Sequence, residues 1–172
     1  MVGPARHFDL FDTASIGREV LTIPRDSDDF GFFRPLLQYW DARRAGRIAP
    51  ARGDIDPLDL PPALLPHVVL IEVRRDPLEF SYRLAGTAAD TIHGQSLKGV
   101  RVLDLRPESF AKILNADLMR MAEDLTMQFV LHTFTNREGK TRRFRVLRLP
   151  LCDAAGRLEM VLVLADHGAI QR

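Results

Sequence analysis

Hydrophobic and polar residues alternate along this chain with two different periods, and the change of period marks out the elements. Between Asp28 and Ala45, Phe30, Phe33, Leu37 and Trp40 recur at spacings of three, four and three. That spacing places them on one face of a helix. Pro35 is tolerated only near a helix start, so the regular part begins near Arg34. Gly46 sits where a helix-ending residue is expected, and Arg43 and Arg44 complement the dipole of the last turn. Burying the four large side chains is worth roughly 1.5–3 kcal/mol each as an upper estimate, enough to dock the helix on a body. Residues 47–66 contain Pro50, Pro57, Pro61, Pro62 and Pro66, too many for a strand or a long helix. They form an ordered connector, with Asp56 as N-cap and Pro57 as first residue of one short helical turn.

Period two takes over at Val68. Residues 68–73 and 78–84 read as strands joined by a turn at Arg74-Arg75-Asp76-Pro77, and in the second Leu78, Phe80, Tyr82 and Leu84 alternate with Glu79, Ser81 and Arg83. Gly86 breaks the alternation, Thr87 is placed to cap a short helix over 88–92, and Gly94 ends it. A longer amphipathic helix is predicted over 107–123, burying Phe110, Ile113 or Leu114, Leu118 and Met121. Three strands follow, at about 127–135, 142–151 and 158–166, joined by loops with Gly139 and Gly156 near their ends. In the last strand Leu158, Met160, Leu162 and Leu164 line one face, and Val161, Val163 and Ala165 the other. A strand apolar on both faces is covered on both. The Phe30–Trp40 helix is the expected lid, packing on Val161 and Val163 or sharing that face with a second copy of the chain.

The order helix, two strands, short helices, longer helix, three strands resembles a PAS domain. The local wording is similar to a bacterial PAS-like family of short single-domain proteins. It is carried by Tyr39-Trp40-Asp41-Ala42-Arg43-Arg44-Ala45-Gly46-Arg47, by Pro50-Ala51-Arg52-Gly53-Asp54-Ile55-Asp56-Pro57, by Leu64-Leu65-Pro66-His67 and by Phe80-Ser81-Tyr82-Arg83-Leu84-Ala85-Gly86-Thr87. The resemblance implies an α+β fold: a five-stranded antiparallel sheet, helices over one face with a small pocket between, and the N-terminal helix on the sheet or at a dimer interface. It also implies a sensory or regulatory role in bacterial signal transduction, exercised through a small ligand, a signalling protein or both, often as a homodimer. The expected organisation is a loosely held arm over 1–26, the cap helix and connector over 27–66, and the PAS-like domain over 67–167. Two other readings compete. One is a small α+β cone of the ketosteroid-isomerase type, an enzyme or binder, which would open with long helices and hold an Asp/His or Tyr/Asp pair in an apolar cone. The other is a ligand-free structural adaptor on the PAS fold.

The pocket is expected to be lined by Phe80, Tyr82, His93, Phe110, Leu114, Phe129, Leu131, His132 and Phe144. Repeated pairing of the connector and strand motifs suggests a structural clamp in which Arg83 grips Asp54 or Asp56. No two of the five histidines stand at an i, i+4 spacing, so no metal site is predicted, although His93 and His132 can meet inside the fold. No cofactor is evident; an unidentified small ligand is the expectation. Cys152 has no base in sequence to activate it, and neither a nucleophile elbow nor a phosphate loop is present, so the chain is not read as an enzyme.

Composition narrows the partners. Of 172 residues, 46% are hydrophobic and 27% charged, and the net charge is only +1, which gives no general pull toward nucleic acid or an anionic membrane. Arg142, Arg143, Arg145 and Arg148 crowd one strand without sharing a face, which suits a solvated or helix-paired sheet better than phosphate binding. A lone cysteine excludes an internal disulfide, and residues 1–22 contain no apolar run of signal-peptide length, so a cytoplasmic location is expected.

Overall fold

The computed structural model describes residues 10–24 and 26–167. Six antiparallel strands form one open sheet: β1 (Thr13–Val20), β2 (Val68–Arg74), β3 (Glu79–Ala85), β4 (Gln128–Asn136), β5 (Thr141–Cys152) and β6 (Leu158–Asp166), in the order β1-β4-β5-β6-β2-β3. The helices are α1 (Arg34–Arg44), α2 (Thr87–His93) and α3 (Glu108–Asp124). The α+β architecture expected from sequence is therefore present with one strand more than expected. The extra strand is β1, in the segment read as a loose arm. It pairs with β4 from Thr13 opposite Asn136 to Val20 opposite Val130, and Leu21 N–H extends the ladder to the Phe129 carbonyl at 2.8 Å. Residues 1–9 of that arm lie outside the described residues.

The sheet is the middle of three layers. On one face α2, α3 and the turn Val102–Asp104 bury a core that includes Ile71, Phe80, Tyr82, Leu114, Leu118, Phe134 and Val163. On the other, the turn Asp28–Phe30, α1 and the connector bury Phe30, Phe33, Leu36, Trp40, Phe129, Leu162 and Leu164. β6 lies in the interior of the sheet between β5 and β2, which is why both its faces are apolar. Two assignments made from sequence are reversed. Val161 and Val163 face α2 and α3, while Met160, Leu162 and Leu164 lie beneath the cap. Leu36 is fully buried on α1, whereas Leu37 is only half-buried at the rim. Pro35, in the first turn of α1, leaves Phe30 and Phe33 on the entering segment, so the apolar stripe runs through a turn before the helix proper.

The cap is fixed by shape and by one polar bond. Phe30 and Phe33 meet the Phe129 ring edge-on at 5.3 and 5.1 Å between centroids, and Trp40 Nε1–H donates to the Pro150 carbonyl at 2.9 Å. α1 ends at Ala45, which has left-handed backbone (φ 50°), followed by Gly46 at φ 81°. The connector runs through three short turns; Asp56 caps one by accepting from Leu58 N–H at 3.0 Å, with Pro57 next, as expected from sequence. The Arg83 clamp does not form. Asp54 accepts from Arg47 at 2.8 Å and from Ala51 N–H at 3.0 Å, Asp56 is engaged in capping, and Arg83 is exposed. Arg47 therefore ties the end of α1 to the connector. A register shift between Leu70 and Ile71 explains Arg83: Leu84 opposes Leu70 and Tyr82 opposes Ile71, leaving Arg83 as the extra residue of a bulge. The same shift leaves Leu84 exposed, against the strict alternation read from sequence.

α2 begins after Gly86, not with Thr87 as its cap, and ends at Gly94 in the left-handed region. A Cβ at Gly86 would stand 2.2 Å from the Pro66 carbonyl oxygen, so this crossing of connector and strand admits no side chain.

Candidate functional site

Between the sheet and the pair α2 and α3 lies a cavity of about 60 Å3. Strand parity decides what reaches it. On β4, His132 and Phe134 point inward, and on β5 so do Phe144, Val146 and Arg148. β3 supplies Tyr82, α2 ends with His93, α3 contributes Phe110 and Leu114, and His167 follows β6. Six of the residues expected at the pocket are thus brought together: Tyr82, His93, Phe110, Leu114, His132 and Phe144. Phe80 is buried in the same core without lining the cavity. Phe129 and Leu131 have the opposite parity on β4, and Phe129 packs under the cap. His93 and His132 each pack on the ring of Phe110, at 5.8 and 5.3 Å between centroids.

The floor of the cavity is ionic. Arg148, 1% exposed, donates from Nη1 to Asp117 Oδ2 at 2.8 Å and to Gln128 Oε1 at 3.1 Å, and from Nη2 to His132 Nε2 at 2.7 Å. Asp117, on the buried side of α3, is gripped from its other side by Arg18 of β1, Nε to Oδ2 at 2.9 Å and Nη2 to Oδ1 at 2.6 Å. This bidentate fork pins the edge strand to α3. Burial raises the Asp117 carboxyl pKa, but the Arg18 bond and the Arg148 charge outweigh it and hold it below the usual carboxylate range. Burial lowers the Arg148 pKa, and Asp117 opposes the shift. Sequence reasoning missed Asp117, Arg148, Arg18 and Gln128 as site residues. A signal existed: Asp117 interrupts the apolar stripe of its helix three residues after Leu114, and Arg148 follows Phe144 and Val146 at their parity.

The three histidines that line the cavity are neutral. Burial, then the Arg148 charge, lowers His132 to about 3. Burial alone lowers His93 to about 4, and burial with neighbouring His67 takes His167 to about 3. Because the Arg148 guanidinium can only donate, His132 Nε2 accepts and the ring proton sits on Nδ1. Among the described residues, His132 Nδ1 and His93 Nδ1 are buried side-chain atoms without a hydrogen-bond partner. Burial also raises the Tyr82 phenol pKa, so its O–H persists as a donor. The arrangement is an apolar chamber with hydrogen-bond donors converging on it, a form suited to holding a small molecule. His67, just before β2, and His167, just after β6, share a 3.0 Å bond between Nδ1 atoms. Among the described residues no group of three His, Cys, Asp or Glu side chains is placed to hold a metal ion, and no helix is long and apolar enough to cross a membrane.

A family model for the PAS domain matches residues 33–164. Among solved structures the chain is similar to a light-oxygen-voltage domain studied with a flavin analogue, at 14% identity over 60% of this chain and 77% of the other, TM-score 0.44. It is similar to the PAS domain of a protein from Colwellia psychrerythraea at 10% identity, over 59% and 86%, TM-score 0.41. An RNA-binding light-oxygen-voltage receptor matches at 12% identity, over 89% of this chain and 38% of the receptor, TM-score 0.46. No curated protein matches.

Proposed function

The chain belongs to the PAS domain family, matched over residues 33–164 of 172, and from that premise we propose that it is a sensory module whose signal is occupation of the cavity beneath α2 and α3. The observation that carries the reading is the pair of buried ring nitrogens, His93 Nδ1 and His132 Nδ1, left without partners on side chains that line the cavity. Buried polar groups without partners are costly, and a bound molecule would satisfy them. A route outward supports the same reading. From His132 the hydrogen bonds run through Arg148 and Asp117 to Arg18, so a change at the cavity floor would bear on the edge strand β1. Such a ligand acts by favouring one arrangement of that strand over another.

The output is proposed to pass to another protein, in bacterial signal transduction and in the cytoplasm, with a second copy of the chain as one partner. That interface would not use the inner face of α1. Phe30, Phe33, Leu36 and Trp40 are each at most 3% exposed against the chain's own sheet, which removes the aromatic stripe as a dimer surface. No catalytic role is proposed, and membership of the PAS family sets aside the ketosteroid-isomerase-like cone. Native mass spectrometry of the purified chain tests the reading. The expected spectrum carries the mass of a small molecule above the 19.5 kDa chain and loses it on denaturation. A bare chain that also takes up nothing from small-molecule mixtures would favour a ligand-free adaptor instead.

A further inference from the structure

At the cavity floor the polar groups agree in kind, because Arg148 and His132 can only donate there; His93, a neutral ring at the end of α2, carries one donor and one acceptor nitrogen. Arg148 has five N–H groups and no acceptor, and three of the five are engaged by Asp117, Gln128 and His132. His132, its Nε2 occupied, offers only Nδ1–H, and Tyr82 offers its phenol. Asp117 does not itself line the cavity, and its two oxygens take three bonds from Arg18 and Arg148. The charge is also uneven. Arg18 and Arg148 face a single carboxylate, and His132, held neutral by burial, adds nothing, so the cluster carries one positive charge in excess. Arg18 is 25% exposed, and water moderates its share; Arg148 has no such relief. Apart from His93 and His167 the remaining wall is apolar, including Ile92, Leu114, Phe134 and Val163.

We propose that the cavity is built for a short-chain monocarboxylate, its carboxylate set toward Arg148 and His132 Nδ1 and its alkyl tail among the apolar side chains of α2 and α3. This rests on the reading that the cavity is the sensory site and adds the chemical class of its occupant. An acceptor-only head matches a donor-only floor, and a single negative charge matches the excess. Size sets the chain length. A buried water needs about 10–15 Å3 of such space, so the 60 Å3 cavity has room for about four to six non-hydrogen atoms. Propionate and butyrate fall in that range; a long-chain fatty acid and a ring system such as a flavin do not.

Isothermal titration of the full chain with butyrate and with butyramide, its neutral near-isostere, is the test. Butyrate is expected to bind saturably and butyramide about tenfold more weakly or worse, the scale of a hydrogen bond to a charged group. Tyr82→Phe, which keeps the ring, is expected to weaken butyrate several-fold, and Leu114→Phe, which fills the chamber, to abolish binding, with circular dichroism confirming that both variants fold. Equal affinity for the amide overturns the carboxylate assignment and leaves an occupied cavity standing. Butyrate binding unmoved by both substitutions places it elsewhere and overturns the proposal. If neither probe binds while native mass spectrometry finds another small molecule, only the ligand class fails. If neither binds and the chain is bare, the sensory reading fails with it.

Discussion

Asp117 shows how much a single buried charge organises here. Its carboxylate, on a side chain 5% exposed, is held between two guanidiniums from different strands, and one of these, Arg148, has a side chain only 2% exposed. Taking one partner from a buried pair leaves an uncompensated charge and costs about 3–5 kcal/mol, more than most single contacts. Asp117→Ala should therefore lower the unfolding free energy by about that much in urea titrations. Arg18→Ala removes a partly solvated partner and should cost much less, about 1–2 kcal/mol. Equal costs would mean that Arg148 draws little from Asp117. None of this pairing is visible in the sequence as such. A carboxylate within an apolar helical stripe and an arginine at core parity on a strand each mark a buried charge, but 31 residues separate them, and only the fold shows that they meet.

At the level of elements, periodicity located the helices and five of the six strands, and it failed where a face or an edge had to be chosen. β6 reads as apolar on both sides, which implies two covers without saying which cover meets which side; the structure puts Met160, Leu162 and Leu164 under α1, and Leu158, Val161 and Val163 under α2 and α3. β1 was illegible for another reason. As an edge strand, most of its side chains meet solvent, so its sequence Thr-Ala-Ser-Ile-Gly-Arg-Glu-Val alternates weakly, and its register is set by β4 and by the Arg18 fork. Deleting residues 1–20 should thus do more than shorten the chain: it strips β4 of its partner and exposes a sheet edge prone to self-association. A lower urea midpoint together with concentration-dependent aggregation is expected, and an unchanged midpoint in a monodisperse sample would show β1 to be dispensable. Gly86 was read only as a break in alternation. Its backbone lies against the connector at Pro66, so Gly86→Ala should cost about 1–3 kcal/mol through displaced backbone, measured by the same titration.

For the molecule as a whole, the buried neutral histidines couple folding to pH. His132 and His167 lie near 3 and His93 near 4 in the folded chain, against an ordinary value of 6.5. Between those limits the unfolded chain binds more protons, so stability is fully present above about pH 6.5 and is lost progressively as pH falls toward 3. Each histidine contributes a slope of up to about 1.4 kcal/mol per pH unit. Asp117, held low, adds loss of the same sign below about pH 4. Urea unfolding at pH 7.5 and 5.5 should show the drop; a flat profile would contradict burial of neutral rings. The fold class was legible in the order of elements, and so was the general position of the pocket. Its polar floor was not, because hydrogen-bond direction and tautomer arise only when side chains from β4, β5 and α3 meet.

That tautomer is the point on which the ligand account turns. Nitrogen NMR of the full chain labelled with 15N-histidine reads it directly. At pH 7 the account predicts a neutral His132 ring with its proton on Nδ1, whose resonance moves saturably as butyrate is added. A His132 ring that is charged, or that carries its proton on Nε2, would contradict the donor-only floor and the sensory site built on it.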